Sequence, residues 1–276
     1  MVGTRERTLI MESKPYISIV TPALNMERTI KRTLHSLEVQ KASFEHVVLD
    51  GGSTDRTHEI VRGFATRYPV RLAVEDNAGV YGNVVKGHRQ TTGEIMGWIA
   101  GDDFYTPWAL RVVEHIFRKH PEVEWIYGIP SVYYEQSGLC ATGRMAKYYV
   151  REFIRRGWHR GGLFGFLQQE SMFWRRDLWD RSDAEAVMLK YRYAGDFHLW
   201  RTFAEHVPLH TVASTLACFT VRDGQFSSVK EAEYFRECGA GTVRYKPPLL
   251  CNVISFAVSG LFQNRILRVE THPKGL

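Results

Sequence analysis

The stretch GEIMGWIAGDDFY (residues 93–105) is an apolar run that ends in two adjacent carboxylates, Asp102 and Asp103. Residues 95–100 carry no charge, which is typical of a strand buried on both faces of a parallel sheet. The two carboxylates then lie at the carboxyl end of that strand, the edge at which open α/β sheets bind ligands. Because neighbouring carboxylates repel each other, both stay ionised only beside a cation or hydrogen-bond donors.

Two conformations are open for the chain at Asp102 and Asp103. If the backbone is still extended there, successive side chains point in opposite directions. The two carboxylates then make separate contacts, one with a metal ion and one with a hydroxyl of the ligand. The alternative is a polar turn after the strand, because Gly-Asp-Asp is also common in turns.

Strand and helix patterns alternate four times before residue 105, which predicts a mostly parallel α/β sheet flanked by helices. The predicted strands are residues 16–20, 46–50, 70–74 and 95–100, and the connecting segments contain helices within 26–40, 56–67 and 79–92. The polar side chains that follow these strands are Thr21, Asn25, Asp50, Glu75, Asp76, Asp102 and Asp103. Their shared edge is where a nucleotide pocket forms in such sheets. The chain has no G-x-G-x-x-G motif after the first strand and no P-loop, which excludes the dinucleotide and NTPase fingerprints.

The second half is predicted to continue with strands and helices and to end in an apolar segment. The predicted strands are residues 123–129, 168–176 and 209–221, and the predicted helices are 107–119, 177–189 and 228–238. The apolar segment, residues 247–262, has basic flanks and is too short to span a membrane. We favour a core helix there, with an interfacial helix at a membrane surface as the alternative.

Asp196 lies at or near the N-terminus of a helix that continues to His206. One interpretation is an N-cap, which stabilises a helix by about 1 kcal/mol. The other is a catalytic base beside the pocket, with its pKa lowered by the helix N-terminus so that it is ionised at neutral pH. The two roles are compatible, since a cap fixes the position of its carboxylate.

Composition restricts the class of protein. With 276 residues, 44% of them apolar and 24% charged, the chain forms one large domain or one domain with an appendage. Its net charge of +6 favours phosphates, acidic glycans or an anionic membrane surface. Lys and Arg form no dense block, so we expect no nucleic-acid partner. The four cysteines are far apart without a C-x-x-C pair, which argues against a zinc or redox site and predicts reduced thiols in the cytoplasm.

Three motifs together resemble one enzyme family. SIVTPALN (18–25), DGGSTDRT (50–57) and GDD (101–103) occur in the order and spacing of family 2 glycosyltransferases with the GT-A fold. In the second half, QES (169–171) and AGD (194–196) are similar to those of bacterial enzymes that build surface polysaccharides. The resemblance implies inverting transfer of one sugar from a nucleotide-diphospho sugar, with UDP or dTDP favoured, to a glycan or lipid-linked acceptor.

The sequence also predicts how the chain is divided. It predicts no oligomeric state. Residues 1–14 form a flexible tail that is not a signal peptide, and residues 15–226 form the GT-A domain. Its nucleotide-binding half is 15–130 and its acceptor half is 131–226. Residues 227–276 form a C-terminal helical extension. We expect a cytoplasmic protein and leave peripheral contact with the inner face of the membrane open.

The resemblance assigns the donor nucleotide to residues that follow the strand ends or lie in the loops beside them: Thr21, Pro22, Asn25, Asp50, Gly51, Asp76, Lys86 and Asp102. Thr21, Pro22 and Asn25 would line the base pocket. Asp50 would accept a hydrogen bond from the imide N–H of uracil or thymine, and Asp102 would face the ribose or the sugar.

The chemistry is assigned to the remaining matched residues. Asp103 would bind Mg²⁺ or Mn²⁺, which bridges the diphosphate and stabilises the leaving group. Asp196 would take the proton of the acceptor hydroxyl as that oxygen attacks the anomeric carbon. Glu170 would contact the acceptor, and Arg222 would contact phosphate.

The sequence departs from the family pattern in one loop and leaves two alternative functions open. Many relatives read Tyr-Asp-Ala-Met-Asn-Lys-Gly after the third strand, whereas this chain reads YGNVVKG (81–87). The Gln-x-x-Arg-Trp signature of processive synthases is missing, which argues against a polymerising enzyme. One alternative, a sugar nucleotidyltransferase, would carry a glycine-rich loop with Arg and Lys after the first strand. The other is a non-catalytic nucleotide- or glycan-binding protein of the same fold.

Overall fold

The computed structural model describes residues 14–143, 146–159, 166–239 and 266–267. The strands in these ranges are β1 (Ile17–Ala23), β2 (Phe44–Asp50), β3 (Val70–Val74), β4 (Ile95–Trp98), β5 (Phe104–Tyr105), β6 (Trp125–Tyr127), β7 (Ser131–Tyr134), β8 (Leu139–Thr142), β9 (Met172–Arg175), β10 (His210–Val212), β11 (Ala217–Val221) and β12 (Ile266–Leu267). The helices are α1 (Ile30–Glu38), α2 (Thr57–Phe64), α3 (Gly79–His88), α4 (Ala109–Lys119), α5 (Arg151–Arg155), α6 (Arg176–Arg181), α7 (Ala184–Leu189), α8 (Gly195–His206), α9 (Phe226–Val229) and α10 (Glu231–Glu237). A 3₁₀ turn (Gln169–Ser171) precedes β9.

The strands form two sheets. The main sheet has the order β12-β10-β6-β9-β4-β1-β2-β3, and its neighbours are parallel except where β9 pairs with β4 and β6. The smaller sheet has the order β5-β11-β7-β8. The prediction of an α/β fold with a mostly parallel central sheet is therefore confirmed.

The strand β4 lies at the centre of the main sheet, between β1 and β9, and all its residues are buried. This confirms the prediction from its uncharged sequence. Apolar side chains of α1, α2 and α4 cover one face of the sheet. Those of α3, α6, α7 and α8 cover the other face. The sheet therefore has helices on both sides, as its parallel connections require.

Tryptophan rings fix α8 against the sheet. The Trp200 ring of α8 stacks on Trp98 of β4 at a centroid distance of 5.6 Å, and on Trp125 of β6 at 5.8 Å. Trp174 of β9 meets Trp200 edge-on at 5.8 Å. Large aromatic rings in this offset or edge-on geometry contribute packing energy beyond their buried area, so the position of α8 is set by the central strands.

Two predicted elements are interrupted. The helix expected over 177–189 is split into α6 and α7, because Asp183 adopts a left-handed backbone (φ 51°) that a right-handed helix cannot continue through. The strand-like run 209–221 forms β10 and β11, which belong to different sheets. Strand length in this region is therefore set by a change of sheet that an apolar pattern does not encode.

The end of the chain is described only in part. The helices α9 and α10 begin the predicted C-terminal extension, whereas the apolar segment 247–262 and the tail up to residue 13 lie outside the described residues. Among the helices in the described ranges, none combines the length and apolar character needed to cross a membrane.

The burial of α8 gives a direct test of its packing. We expect Leu199→Ala to lower the free energy of unfolding by about 2–5 kcal/mol, because Leu199 is fully buried and its truncation leaves a cavity. Leu189→Ala, at a 53% exposed position on α7, is the matched control and should cost less than about 1 kcal/mol. Equal costs in urea-induced unfolding would contradict this description of the core.

Candidate active site

The two adjacent carboxylates lie in a turn after β4. The N–H of Asp103 donates to the carbonyl of Ala100 at 3.1 Å, so the backbone is not extended there and the polar-turn alternative is correct. The two side chains nevertheless have separate partners. Asp102 accepts from the guanidinium of Arg222 at 2.9 and 3.0 Å, and Asp103 accepts from the backbone N–H of Thr220 at 2.7 Å.

Donors from α1 and β11 hold the backbone of this turn. The guanidinium of Arg32 donates to the carbonyl of Asp102 at 3.0 Å, and the Thr220 hydroxyl donates to the same oxygen at 2.5 Å. The Thr33 hydroxyl donates to the carbonyl of Asp103 at 2.6 Å. Because both carbonyls of the turn are satisfied by side chains, the carboxylates are fixed relative to the sheet.

A cavity of about 600 Å³ opens beside this turn. The sequence-predicted site residues that line it are Pro22, Asp102, Asp103, Glu170, Asp196 and Arg222. The sequence-predicted residues that are not part of its lining are Thr21, Asn25, Asp50, Gly51, Asp76 and Lys86. The proposed metal ligand, catalytic base and phosphate contact therefore line one cavity. Most of the residues predicted to bind the nucleotide lie outside its lining.

Asp50 organises the loop after β2. It is fully buried, and its carboxylate accepts from the N–H groups of Gly52 and Ser53, from the Ser53 hydroxyl, and from the His58 ring, at 2.6–2.9 Å. Burial raises the pKa of Asp50, but the hydrogen bonds from Ser53 and His58 outweigh it and leave the pKa below its ordinary value. Its contact with a nucleotide base stays a prediction.

Other residues of the predicted nucleotide site also make contacts between elements of the protein. Asn25 links the loops after β1 and β2, because its amide oxygen accepts from the N–H of Thr54 at 2.9 Å. The Thr21 hydroxyl contacts the buried ring of His46 at 2.9 Å. Lys86 donates to the carbonyl of Asp76 at 3.0 Å. These contacts shape the carboxyl edge of β1, β2 and β3.

Negative charge is in excess at the base of the cavity. Burial, together with the charges of Asp102 and Glu170, raises the pKa of Asp103 well above its usual range. Burial, together with the charges of Asp196 and Asp102, raises the pKa of Glu170 to about 8. The Glu170 Oε1 atom is buried and has no hydrogen-bond partner among the residues that the structure describes. A cluster of this kind is stabilised by bound protons or by a cation.

The residues present fit a divalent cation shared with a ligand. Across the described residues, no cluster of three or more His, Cys, Asp or Glu is arranged to hold a metal ion. Mg²⁺ in nucleotide sites is commonly held by one or two carboxylates and completed by phosphate oxygens and water. Asp103 would supply such a carboxylate, and Glu170 lines the same cavity with an oxygen that has no partner among the described residues.

Asp196 is a buried carboxylate held by a tyrosine. It is the second residue of α8, and Ala194 occupies the N-cap, so the predicted capping role is wrong. The Tyr81 hydroxyl lies 2.7 Å from Asp196 Oδ1 and 2.8 Å from the carbonyl of Tyr193, two acceptors for one hydrogen. Gly195 permits this approach, since a Cβ there would lie 2.7 Å from Tyr81 Cγ.

The predicted direction of the Asp196 pKa shift is wrong. Burial raises the pKa of Asp196 to about 6, although the hydrogen bonds from Tyr81 and from the backbone of Phe197 act to lower it. The expected effect of the helix N-terminus is therefore outweighed by loss of solvent. With a pKa near 6, the carboxylate is still mostly ionised at neutral pH.

Sequence reasoning missed several residues of this site. Tyr81 is separated from Asp196 by 115 positions, and Thr220 from Asp103 by 117, so no local pattern pairs them. The lining of the cavity also includes Tyr234 and Phe235 of α10. The local signal for Tyr81 was the loop at residues 81–87, which departs from the family pattern but keeps its first residue, a tyrosine.

Comparison with known sequences identifies a family. The family model described as "Glycosyl transferase family 2" matches residues 18–181. The "PGL/p-HBAD biosynthesis glycosyltransferase" of Mycobacterium tuberculosis is 29% identical over 161 residues, which are 55% of this chain and 62% of that protein. "Glycosyltransferase AglE" of Haloferax volcanii is 33% identical over 93 residues, 32% of this chain and 31% of that protein. The chain thus spans less than two thirds of these relatives.

Solved structures share the fold. S. aureus TarS 1-349 in complex with UDP-GlcNAc has a TM-score of 0.61 at 16% identity, covering 91% of this chain and 72% of that one. The mannosyltransferase PcManGT from Pyrobaculum calidifontis, in complex with GDP-Man and Mn²⁺, has a TM-score of 0.60 at 19% identity, covering 90% and 70%. The chain therefore has the GT-A fold that its motifs predicted.

The raised pKa of Glu170 predicts a pH-dependent stability. Between about pH 4.5 and 8 the folded state holds a proton on Glu170 that the unfolded state has lost, so the free energy of unfolding should fall as the pH rises. Glu170→Gln cannot titrate and should flatten this fall in metal-free buffer.

The control for this measurement is Glu59→Gln, at an exposed position on α2. It should leave the pH dependence of unfolding as in the wild-type protein. Identical pH profiles for wild type and Glu170→Gln would contradict the placement of Glu170 in the buried cluster.

Proposed function

The chain belongs to glycosyltransferase family 2, and from this premise we propose that it transfers one sugar with inversion from a nucleotide-diphospho sugar to a hydroxyl of a glycan or lipid-linked acceptor. The observation on which this proposal rests is that the turn at Asp102 and Asp103 and the buried carboxylate of Asp196 line one cavity. A metal ligand and a base facing the same space are what a displacement at an anomeric carbon requires.

We propose that the donor nucleotide lies along the carboxyl edge of β1, β2 and β3, with its diphosphate towards Asp103. The base would lie against the loops at residues 21–25 and 50–53, and uridine or thymidine is favoured because their imide N–H suits the Asp50 carboxylate. Such a contact would replace one of the local donors that Asp50 now has. Asp76 and Lys86 would flank the nucleotide from the following loop.

Asp103 would hold Mg²⁺ or Mn²⁺ together with diphosphate oxygens. When bound, the cation neutralises charge that develops on the departing nucleoside diphosphate. Arg222 supports the same part of the cavity, because its guanidinium pairs with Asp102 and its side chain, which lines the cavity, is 22% exposed. Arginine binds phosphate oxygens through several N–H groups in a fixed geometry, so Arg222 would orient the diphosphate.

Asp196 would act as the base. It would remove the proton of the acceptor hydroxyl while that oxygen forms a bond to the anomeric carbon and the bond to the diphosphate oxygen breaks. Tyr81 orients the carboxylate and favours its ionised form through the hydrogen bond to Oδ1. The other ionisable groups that face Asp196 are Glu170 before β9 and Tyr234 of α10.

We further propose a cytoplasmic role in the biosynthesis of a polysaccharide or glycolipid. The curated relatives in Mycobacterium are named for PGL/p-HBAD biosynthesis, and Phe166, Tyr193 and Phe235 line the cavity together with the charged residues. An aromatic wall suits the ring faces of a sugar or an apolar aglycone. Peripheral contact with the membrane would depend on residues 247–262.

The metal requirement is tested at Asp103. We expect release of nucleoside diphosphate from a panel of nucleotide sugars to need Mn²⁺ or Mg²⁺, and Asp103→Asn to lower it at least about 100-fold because the cation loses its carboxylate. Asp180→Asn, an exposed carboxylate on α6, should keep wild-type rates. No binding and no turnover with any donor of the panel would sink the enzyme proposal.

The base is tested at Asp196. Asp196→Asn should bind donor normally and transfer sugar about 100- to 10,000-fold more slowly, since no group then accepts the acceptor proton. In the wild type, the rate should rise with pH through about 6 as Asp196 ionises. Tyr81→Phe removes a hydrogen bond that lowers this pKa, so its acid limb should lie at higher pH. Wild-type transfer by Asp196→Asn would remove Asp196 from this role.

A further inference from the structure

The helix α10 is attached to the start of α8 by one carboxylate. Glu237, the last residue of α10, accepts hydrogen bonds from three consecutive backbone N–H groups, those of Arg192 at 3.2 Å, Tyr193 at 2.8 Å and Ala194 at 2.9 Å. Successive N–H groups that converge in this way form an anion-binding concavity. Here the anion is supplied by the chain itself, 43 to 45 positions away in sequence.

Two further contacts attach the same helix. The ring nitrogen Nε2 of His198, on the first turn of α8, lies 2.9 Å from the carbonyl oxygen of Glu237. Cys238, which follows α10, packs with Ala194 and Phe197 in a small apolar cluster, with Tyr234 against it. The attachment therefore combines a charged contact, a neutral hydrogen bond and apolar packing on one short stretch of α8.

One peptide group, between Tyr193 and Ala194, contacts both Glu237 and Tyr81, the residue that orients Asp196. The N–H of Ala194 donates to Glu237, and the carbonyl of the same peptide group, that of Tyr193, is the second acceptor of the Tyr81 hydroxyl. The first acceptor is Asp196. The position of the peptide at Tyr193 thus determines how the single Tyr81 hydrogen is shared between a backbone carbonyl and the Asp196 carboxylate.

The same helix forms part of the cavity wall. Glu231, Tyr234 and Phe235 of α10 line the cavity that Asp196 also lines. A displacement of α10 would therefore alter the cavity wall and the backbone before Asp196 together. The donor side depends on contacts from α1 and β11 and is independent of Glu237.

From these contacts we propose that Glu237 is a positioning residue for Asp196. It holds the backbone of residues 192–194, and through it the Tyr81–Asp196 pair, in the geometry needed for proton removal from the acceptor. This inference rests on the proposed function, since it assigns Glu237 a part in the same reaction. Errors of about 1 Å in the position of a catalytic group cost up to about 100-fold in rate.

The test compares Glu237→Gln with Glu233→Gln, the same substitution one turn earlier, where Glu233 contacts Lys230 on the same helix. We expect Glu237→Gln to speed amide hydrogen exchange at residues 192–194 and to lower kcat for transfer about 10- to 100-fold, with donor KM within twofold of wild type. Glu233→Gln should match the wild-type protein in all three measurements.

A double variant separates positioning from a loss of folded protein. In the Asp196→Asn background, Glu237→Gln should cause no further loss of transfer, because no base is left to position. An equal loss in both backgrounds, or wild-type kcat in Glu237→Gln, would overturn the proposal. If Glu237→Gln does not fold, His198→Phe is used instead, which removes the hydrogen bond between His198 and the carbonyl of Glu237. Faster exchange at 192–194 and a kcat at least threefold lower would then support the proposal, and wild-type values would overturn it.

The exchange measurement keeps this inference distinguishable from the proposed function. If the wild-type protein transfers no sugar, the proposed function fails, and the catalytic part of the inference fails with it. If the wild-type protein is active and Glu237→Gln equals it in kcat and in exchange, only the inference fails.

Discussion

The site depends on keeping carboxylates close together in a place with little water. Asp103 and Glu170 are almost completely buried, and each raises the cost of ionising its neighbours. The protein opposes this repulsion by fixing the backbone rather than by neutralising every charge. The carbonyl groups of the turn accept from Arg32, Thr33 and Thr220, so the turn cannot relax to separate its acids.

Asp196, the proposed base, is held by a different part of the structure. Asp196 is carried by α8, whose place against the sheet is set by tryptophan rings from three central strands. Its orientation comes from Tyr81 on α3, whose ring lies close to Gly195. The turn at Asp102 and Asp103 and the carboxylate of Asp196 thus have separate supports, and all three residues line the cavity.

The sequence was sufficient for the features that depend on local pattern. The uncharged run before Asp102 predicted a doubly buried strand, and the alternation of elements predicted the sheet. It was insufficient wherever long-range burial decided the outcome. The pKa of Asp196 lies above its ordinary value because the residue is enclosed by the fold, which no helix-terminus argument includes. The Tyr81 and Thr220 contacts join residues more than 100 positions apart. The break at Asp183 depends on one backbone angle.

The antiparallel strand β9 affects where the sequence can gain or lose residues without moving Glu170. Asp102 and Asp103 follow β4, which is parallel to β1, whereas Glu170 comes before the antiparallel strand β9. Because β9 runs the opposite way between β4 and β6, its beginning lies at the edge where the parallel strands finish. The pairing of β9 fixes Glu170 whatever the length of the chain between β8 and the 3₁₀ turn. Insertions and deletions in that connection can therefore alter what the protein recognises, while Glu170 keeps its position beside Asp102 and Asp103.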